Sequence, residues 1–371
     1  MSKSLRAVAM YLPQYHPIGE NDEYWGKGFT EWRNVVRAKP RFAGHEQPIL
    51  PADLGFYDLR LAEVREAQAE MARANGLHGF CYYHYWFGGR RLLERPVDEV
   101  LELGKPDLPF MLCWANENWT RAWDGGDKEI LIQQSYTDQD ATDHARDLVP
   151  AFSDARYIRV SGKPVFAVYN TDNLPDSKRW SDLFREELHR HGITPYLIRV
   201  ERYADEDRRA PAALGFDAAM EFQPFSRNLR KWQQTRPELK ANLRHRIANK
   251  VQKEVRRLQI WRDFDTHYDM AEFVRFDVSQ AAPDYTCFPG VCPSWDNTAR
   301  RPAGKSIIFR NTSPELYQSW LEAKVDAIKP RTPDENLLFI NAWNEWAEGN
   351  RLEPCANHGH SWLEATKAVL A

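Results

Sequence analysis

Short apolar runs of five to seven residues recur along the chain, and most are separated by stretches in which apolar residues return at helical spacing. Runs that alternate with helices in this way are typical of parallel strands joined by crossover helices. Eight such units match a closed (β/α)8 TIM barrel of the α/β class, so we predict one barrel domain over residues 1–371. The eight predicted strands are Ala7–Leu12, Gly79–Tyr85, Phe110–Trp114, Val165–Tyr169, Tyr196–Val200, Ala218–Phe222, Asp284–Phe288 and Leu337–Ala342.

Helical patterns fill most of the intervals between these strands. The clearest are Leu59–Ala74, Ala141–Phe152, Trp180–Arg190, Met270–Ala281, Pro314–Ile328 and Ser361–Leu370. A doubly wound open sheet is the alternative topology, but its first turn normally carries glycines that cradle a phosphate. Residues 13–17, directly after the first strand, read Pro-Gln-Tyr-His-Pro and contain no glycine. The barrel is therefore the preferred prediction.

Two segments are longer than a minimal barrel requires. Residues 13–57 form a long first βα loop rich in Trp, Tyr, Gly and Pro, which we expect to be a lid or a wall of the cleft. Residues 227–262, after the sixth strand, hold twelve Arg and Lys against two Glu, and an apolar stripe there predicts a basic amphipathic helical insertion. Packing on the barrel, peripheral attachment to an anionic membrane and binding of an anionic glycan remain open as its role.

Polar and aromatic side chains collect where the predicted strands end. In (β/α)8 barrels these ends share one rim, and that rim carries the active site. Eight unrelated strand ends would not be expected to show this enrichment, so we predict a polar, aromatic-lined cleft there. The candidate residues are Tyr15, His84, Trp86, Trp114, Asn116, Glu117, Trp119, Trp295, Asp296, Trp343 and Asn344.

Composition narrows the class of ligand. Aromatic residues are the outlier, with 14 Trp, 15 Tyr and 18 Phe, many of them beside polar residues. Aromatic faces stack on the apolar faces of sugar rings, so this excess favours an oligosaccharide or polysaccharide substrate, although a large aromatic core explains part of it. The formal net charge of −3 gives no reason to expect nucleic acid as a partner.

The same sequence gives expectations about location and bound groups. The first residues lack the apolar run of a signal peptide, and no stretch approaches the ~18 apolar residues of a membrane span. We therefore expect a cytoplasmic protein, with membrane association through residues 227–262 as the alternative. The five cysteines are scattered and the histidines lack metal-ligand spacing, so we expect no metal and no cofactor. The sequence does not predict the oligomeric state.

The segment from Leu337 to Pro354 carries the strongest chemical signal. A buried strand is followed at once by Glu345, Glu348 and Glu353, set among tryptophans. If a helical turn follows the strand, Glu345 and Glu348 point into the same space above the barrel. Two close carboxylates can hold different pKa values, so that one acts as an acid and the other as a base. Glycoside cleavage requires this division of roles.

Four motifs spread along the chain resemble those of one known family. The chain is similar to the WbsX-like family, glycan-biosynthesis proteins related to the endo-α-mannosidases and endomannanases of glycoside hydrolase family 99. The resemblance covers residues 6–362, nearly the whole chain. The motifs are YLPQYHPIGENDEYWGKGFTEW from Tyr11, WANENWTRAWDG from Trp114, PSWDNTARRP from Pro293 and NAWNEWAEGNRLEP from Asn341.

The resemblance implies a (β/α)8 barrel with retaining chemistry on an α-linked, mannose-like glycan. It implies that Glu345 removes the proton of the sugar 2-hydroxyl, which attacks the anomeric carbon to give a 1,2-anhydro sugar. Glu348 would protonate the leaving oxygen and then activate water. Glu117 resembles a further acid that contacts substrate, Asp296 and Arg300 would line the sugar subsites, and Glu353 would brace the loop or bind a hydroxyl.

Two other functions remain open. A glycosyltransferase of surface-polysaccharide biosynthesis, such as O-antigen or capsule, would use the same glutamates, because a sugar hydroxyl can open the intermediate in place of water. No nucleotide-diphosphate site is recognisable in the sequence, which argues against a nucleotide-dependent transferase. A glycan-binding protein without catalysis is the third hypothesis, and the retained acid pair argues against it.

Overall fold

One parallel sheet, curled into a nearly closed barrel, forms the centre of the molecule. The computed structural model describes residues 5–121, 126–207, 209–236, 265–329 and 332–371, with the backbone alone for residues 126–128. Strands of the barrel are almost completely buried, as expected for parallel sheets covered by helices. They are β1 Arg6–Tyr11, β2 Gly79–Phe87, β3 Phe110–Trp114, β4 Lys163–Val168, β5 Tyr196–Glu201, β6 Ala218–Glu221, β7 Cys287–Phe288, β8 Gly290–Val291 and β9 Leu337–Ile340.

The order of the strands confirms the predicted TIM-barrel fold. Around the sheet the order is β7-β6-β5-β4-β3-β2-β1-β9-β8, and every neighbouring pair is parallel. The first and last long strands lie side by side, with Arg6 opposite Leu337. All carboxyl ends therefore meet on one rim, where the sequence placed the candidate residues.

The predicted seventh strand is two short segments, and the barrel closes between them. β7 pairs with β6 and β8 pairs with β9, and a single residue, Pro289, separates β7 from β8. Proline has no backbone N–H to donate, so the ladder is interrupted there, while the Pro289 carbonyl accepts from the Phe339 N–H at 2.9 Å. A Cβ at Gly290 would lie 2.4 Å from the Glu221 carbonyl oxygen, so only glycine allows this close approach of β8 to β6.

Helices cover the outer face of the barrel. Several begin at a capping residue whose side chain accepts a hydrogen bond from the first turn, as Thr137, Asp176 and Ser313 do. The helices are α1 Gly19–Trp25, α2 Trp32–Arg37, α3 Ala62–Ala74, α4 Arg95–Leu103, α5 Asp138–Asp147, α6 Val149–Ser153, α7 Ser177–Arg190, α8 Arg227–Gln234, α9 Met270–Val278, α10 Pro314–Ala327 and α11 Ser361–Leu370. The helix predicted over 141–152 is two helices, because Pro150, in the first turn of α6, cannot continue the hydrogen bonding of α5.

The structure describes the whole of the long first loop but only the first part of the basic segment. The first loop, residues 13–57, carries α1 and α2 and packs against the rim, where the Trp32 ring lies 5.5 Å from that of Trp346. Of the basic segment, α8 is helical as predicted, while residues 237–264 lie outside the described residues. Within the described ranges, none of the helices combines the length and apolar character needed to cross a bilayer.

Candidate active site

Glu345 and Glu348 lie on a tight turn at the carboxyl end of β9. Asn344–Glu345 pairs in antiparallel fashion with Asn350–Arg351, and the 3-10 turn Trp346–Glu348 lies between the two short strands. Gly349 ends the turn with a left-handed φ of 60°. The turn brings both carboxylates to one place on the rim, as the three-residue spacing predicted.

Arg300 joins the two glutamates. Its Nη1 donates to Glu348 Oε1 at 2.8 Å, and its Nη2 donates to Glu345 Oε2 at 3.1 Å. Glu345 is 5 % exposed, and Glu348 is partly exposed beside it. A guanidinium has a fixed fork of donors that suits two neighbouring carboxylates, so Arg300 sets the relative position of the pair.

Burial and mutual repulsion raise the pKa of both acids. Burial and, after it, the charge of Glu348 raise the pKa of Glu345 to about 8, against the opposing effect of Arg300. Burial also raises the pKa of Glu348, again opposed by Arg300. Two carboxylates that share one cation in a desolvated site retain a proton near neutral pH, which is the condition for acid and base roles within one pair.

A third carboxylate, Glu31, completes the arrangement, and the sequence reasoning missed it. Glu31 precedes α2 in the first loop and is fully buried. Its Oε1 accepts from Arg300 Nε at 3.0 Å. The signal was present in the sequence, since Glu31 lies inside the first motif, between Thr30 and Trp32. Three carboxylates therefore surround one guanidinium.

The walls near the pair are tyrosines of β2. After burial as the main cause, the charge of Glu345 raises the pKa of both Tyr83 and Tyr85, so both rings are near enough to the carboxylate to be affected by its charge. Neither was among the predicted residues. Residues two apart in a strand share a face, so the two-residue periodicity of β2 could have selected them.

The structure does not bring His84 and Trp86 to the glutamates, because the alternation of the strand sends them to the opposite face. His84 Nε2 lies 2.9 Å from Nε2 of His144 in α5, and burial lowers its pKa to about 3. Trp86 stacks on the His144 ring and donates from Nε1 to Asp140 at 2.8 Å. Both residues attach α5 to the barrel, so we leave them out of the proposed site.

Of the residues around the end of β3, Glu117 and Trp119 are accessible. Trp114 is fully buried and stacks on Trp180 of α7, outside the barrel. Asn116 is also fully buried and exchanges hydrogen bonds of 2.7 Å with the backbone of Asn170. Glu117 keeps about half of its side chain exposed and accepts from Arg202 Nη1 at 2.7 Å.

Trp119 lies beside Tyr85, with ring centroids 5.6 Å apart. It is partly exposed and begins a short hairpin that follows the end of β3. Tyr85, in turn, is near enough to Glu345 for its pKa to be raised by that charge. Trp119 is therefore placed to present an aromatic face to a sugar.

Asp296 lies directly against the turn that carries Glu345 and Glu348. Its backbone N–H donates to the Glu348 carbonyl at 2.7 Å, and its carboxylate Oδ2 accepts from His45 Nε2 at 2.6 Å and from Gln47 Nε2 at 3.1 Å. Burial raises the pKa of Asp296, but hydrogen bonds from His45 and Thr298 outweigh it and lower the pKa below its ordinary value, so the carboxylate stays ionised. Trp295 is buried and packs edge-on against Phe225.

Four further candidates support the turn from behind and are almost fully buried: Tyr15, Trp343, Asn344 and Glu353. Glu353 accepts from Trp346 Nε1 at 2.7 Å, and also from Tyr57 and Gln68, while burial raises its pKa to about 7. Tyr15 donates to the Asn344 carbonyl. The bracing role that the resemblance implied for Glu353 matches these contacts. Across the residues described, no cluster of three or more His, Cys, Asp or Glu has a geometry for a metal ion.

Comparison with known proteins agrees with this fold. A family model described as glycosyltransferase WbsX matches residues 7–366. The chain belongs to the WbsX family. Two uncharacterized WxcX proteins from strains of Xanthomonas campestris are 42 % identical to this WbsX chain over 366 residues, 98 % of its length. The WbsX chain spans about half of these curated relatives, 49 % of each.

Solved structures show the fold of this WbsX chain. A glycoside hydrolase-like protein superposes with a TM-score of 0.60 at 13 % identity, covering 100 % of this chain and 94 % of the other. The family 99 endo-α-mannosidase of Bacteroides thetaiotaomicron superposes with a TM-score of 0.55 at 14 % identity, covering 98 % and 96 %. The WbsX chain thus has the barrel of glycoside hydrolase-like proteins.

Proposed function

We propose that this chain is a carbohydrate-active enzyme that cleaves an α-linked, mannose-like glycan with retention of configuration. The observation that carries the proposal is the pair of the buried Glu345 and the partly exposed Glu348, held on Arg300 at the carboxyl end of the barrel. Membership of the WbsX family and the barrel shared with an endo-α-mannosidase support it. Tyr85 and Trp119, whose ring centroids are 5.6 Å apart, and the half-exposed Glu117 offer surfaces that suit sugar rings and hydroxyls.

In the proposed reaction the two glutamates exchange protons with the sugar. The Glu345 carboxylate takes the proton of the 2-hydroxyl, whose oxygen bonds to the anomeric carbon as the glycosidic bond breaks. Glu348 gives its proton to the departing oxygen. In the second step Glu348 takes a proton from water, and the water oxygen bonds to the anomeric carbon as the bond between that carbon and the 2-oxygen breaks. Glu345 returns its proton to the 2-oxygen.

The proposed roles require the proton of the pair to lie on Glu348 in the first step. The pKa of both acids is raised, that of Glu345 to about 8, whereas the first step needs Glu345 as the carboxylate. We propose that substrate places the proton on Glu348. The 2-hydroxyl would donate to Glu345 and favour its charged form, while the glycosidic oxygen would accept from Glu348 and favour its protonated form. Because both acids contact Arg300, the charge passes between them without loss of the cation.

The leaving group distinguishes acid from base. We would compare Glu345→Gln and Glu348→Gln on an α-mannan and on an aryl α-mannoside with a good leaving group. In kcat/KM, which reports the first step, loss of the acid should be largely rescued by the aryl substrate, while loss of the base should not. The proposal expects rescue for Glu348→Gln alone. We expect losses of about 10²–10⁴-fold for Glu348→Gln on the α-mannan and for Glu345→Gln on both substrates. Glu322→Gln, on the exposed face of α10, is the control.

Three outcomes would redirect the proposal. Rescue of Glu345→Gln alone would exchange the two roles. Full activity in both variants would remove the pair from the reaction. Binding of glycans without turnover by the wild type would favour the glycan-binding hypothesis.

Glycosyl transfer is the second candidate, because the matching family model is described as a glycosyltransferase. A sugar hydroxyl that enters in place of water would join two sugars and leave the roles of both glutamates unchanged. Product analysis with added acceptor sugars separates the two: a transferase lengthens the acceptor, and a hydrolase releases reducing ends. Thermal stabilisation by a nucleoside diphosphate would indicate a nucleotide-sugar donor.

A further inference from the structure

Glu31 is held against Arg300 by the interior of the first loop. Its backbone N–H donates at 3.1 Å to the carbonyl of Gln14, which lies shortly after the end of β1. The next residue, Trp32, packs its ring 4.7 Å from Tyr15 and 5.5 Å from Trp346 of the catalytic turn. Trp32 Nε1 also donates to the Tyr57 carbonyl at 2.8 Å. The loop therefore delivers the Glu31 carboxylate to one fixed position.

The contacts of the Glu31 carboxylate point towards Arg300. Oε1 accepts from Arg300 Nε at 3.0 Å, and Asn34 Nδ2 is more distant at 3.5 Å. Among the described residues, the second oxygen, Oε2, is buried without a hydrogen-bond partner. A fully buried carboxylate is costly unless a cation compensates it, so the ion pair with Arg300 accounts for the presence of this acid.

The position of Glu31 on Arg300 matters for the pair. Glu31 takes the Nε edge of the guanidinium, which leaves Nη1 and Nη2 for Glu348 and Glu345. Without an acceptor at Nε, the planar group can rotate away from one of the glutamates. Besides each other, Glu345 and Glu348 face the charges of Glu31, Arg300 and Arg301. The neighbouring side chains that can ionise are Tyr15, Tyr83, Tyr85 and Tyr169.

We propose that Glu31 is a positioning residue, which fixes Arg300 in the orientation that bridges Glu345 and Glu348 and places a third negative charge beside them. This role rests on the proposed function of the pair. It assigns a task to the long first loop, which supplies an electrostatic part of the active site as well as a wall.

The charge of Glu31 has a defined direction of effect. It raises the pKa of both Glu345 and Glu348. Glu31→Gln keeps the shape and an oxygen that accepts from Arg300 Nε, but it removes this charge. Both limbs of the pH profile of kcat/KM should therefore move to lower pH. Glu31→Ala also removes the acceptor at Nε, so kcat should fall about 100-fold through misplacement of Arg300.

A second measurement needs no substrate. A group whose pKa is raised in the folded state stabilises the fold below its unfolded pKa, and this stability is lost as pH rises towards its folded pKa. For Glu345 that window runs from its ordinary value of 4.5 to about 8. Because Glu31→Gln lowers the folded pKa, its melting temperature should fall less between pH 6 and pH 8 than that of the wild type.

Glu46→Gln is the matched control, since Glu46 lies in the same loop but is largely exposed and pairs with His358. It should leave both profiles unchanged. Glu31→Asp restores the charge on a shorter side chain and should recover the wild-type pH dependence with reduced kcat. The proposal is overturned if Glu31→Gln folds and keeps the wild-type pH dependence of its melting temperature. A wild type without turnover would instead overturn the proposed function and leave this melting test intact.

Discussion

The side chain of Asn344 is hydrogen-bonded to both backbone groups of Leu12. Its Oδ1 accepts from the Leu12 N–H at 2.7 Å, and its Nδ2 donates to the Leu12 carbonyl at 3.1 Å. Asn344 directly precedes Glu345, and Leu12 directly follows β1. This pair therefore fastens the turn that carries the glutamates to the end of the neighbouring strand.

Asn344→Ala should destabilise the protein by about 2–4 kcal/mol, because both buried backbone groups of Leu12 lose their partner. Activity should fall as well, since Glu345 loses its anchor. Chemical denaturation and kcat would be measured together. Asn75→Ala, which removes one hydrogen bond at the end of α3, is the control and should cost about 1 kcal/mol with unchanged activity. Equal stabilities of the two variants would contradict the anchoring role.

Gly349→Ala should destabilise the turn that carries Glu345 and Glu348 by more than the backbone penalty alone. Gly349 has a φ of 60°, and a Cβ there would lie 3.0 to 3.1 Å from the backbone of Asp296. A left-handed alanine costs about 1–2 kcal/mol, and the contact with Asp296 adds to it. Gly359→Ala is the control, because its φ is 51° and a Cβ added there would meet no atom within 4 Å. Melting temperatures of both variants test this, and a smaller loss at Gly349 would refute it.

Arg300→Lys should lower kcat/KM by about 10²–10³-fold although the charge is kept. An ammonium cannot present three edges to three carboxylates, so the relative position of the glutamates is lost. Hydrogen bonds from Arg300 oppose the raised pKa of both acids, so the pH profile should move to higher pH, opposite to Glu31→Gln. Arg60→Lys, in the exposed pair with Asp58, serves as the control. An unchanged profile in Arg300→Lys would argue against the bridge.

Glu353 should make the fold less stable as pH rises. Burial raises its pKa to about 7 from the ordinary value of 4.5, so the folded state holds a proton that the unfolded chain releases. This contribution is full below pH 4.5 and is lost as pH approaches 7, at about 1.4 kcal/mol per pH unit within that window. Glu353→Gln should remove this slope. Denaturation at pH 5 and pH 7 measures it, with Glu364→Gln on α11 as the control.

Much of the architecture could be predicted because it follows from the local spacing of apolar residues along the chain. Strand-length apolar runs located all the long barrel strands, and only the seventh moved, from 284–288 to the halves 287–288 and 290–291. The segment after the last strand identified Glu345 and Glu348, since strand ends of a parallel barrel share one rim. It was harder to predict from the sequence which face of a strand end is directed towards the site. His84 and Trp86 were chosen where Tyr83 and Tyr85 lie beside Glu345.

By itself the sequence determined the barrel, its rim and the acid pair, because each depends on residues close together in the chain. Only the tertiary structure decided the contacts that set the chemistry. Glu31 and Arg300 are 269 residues apart, and no periodicity relates a loop carboxylate to a guanidinium across that distance. Their meeting follows from the packing of the first loop on the closed barrel. The burial created there, which no single segment has alone, raises the pKa of Glu345 and Glu348.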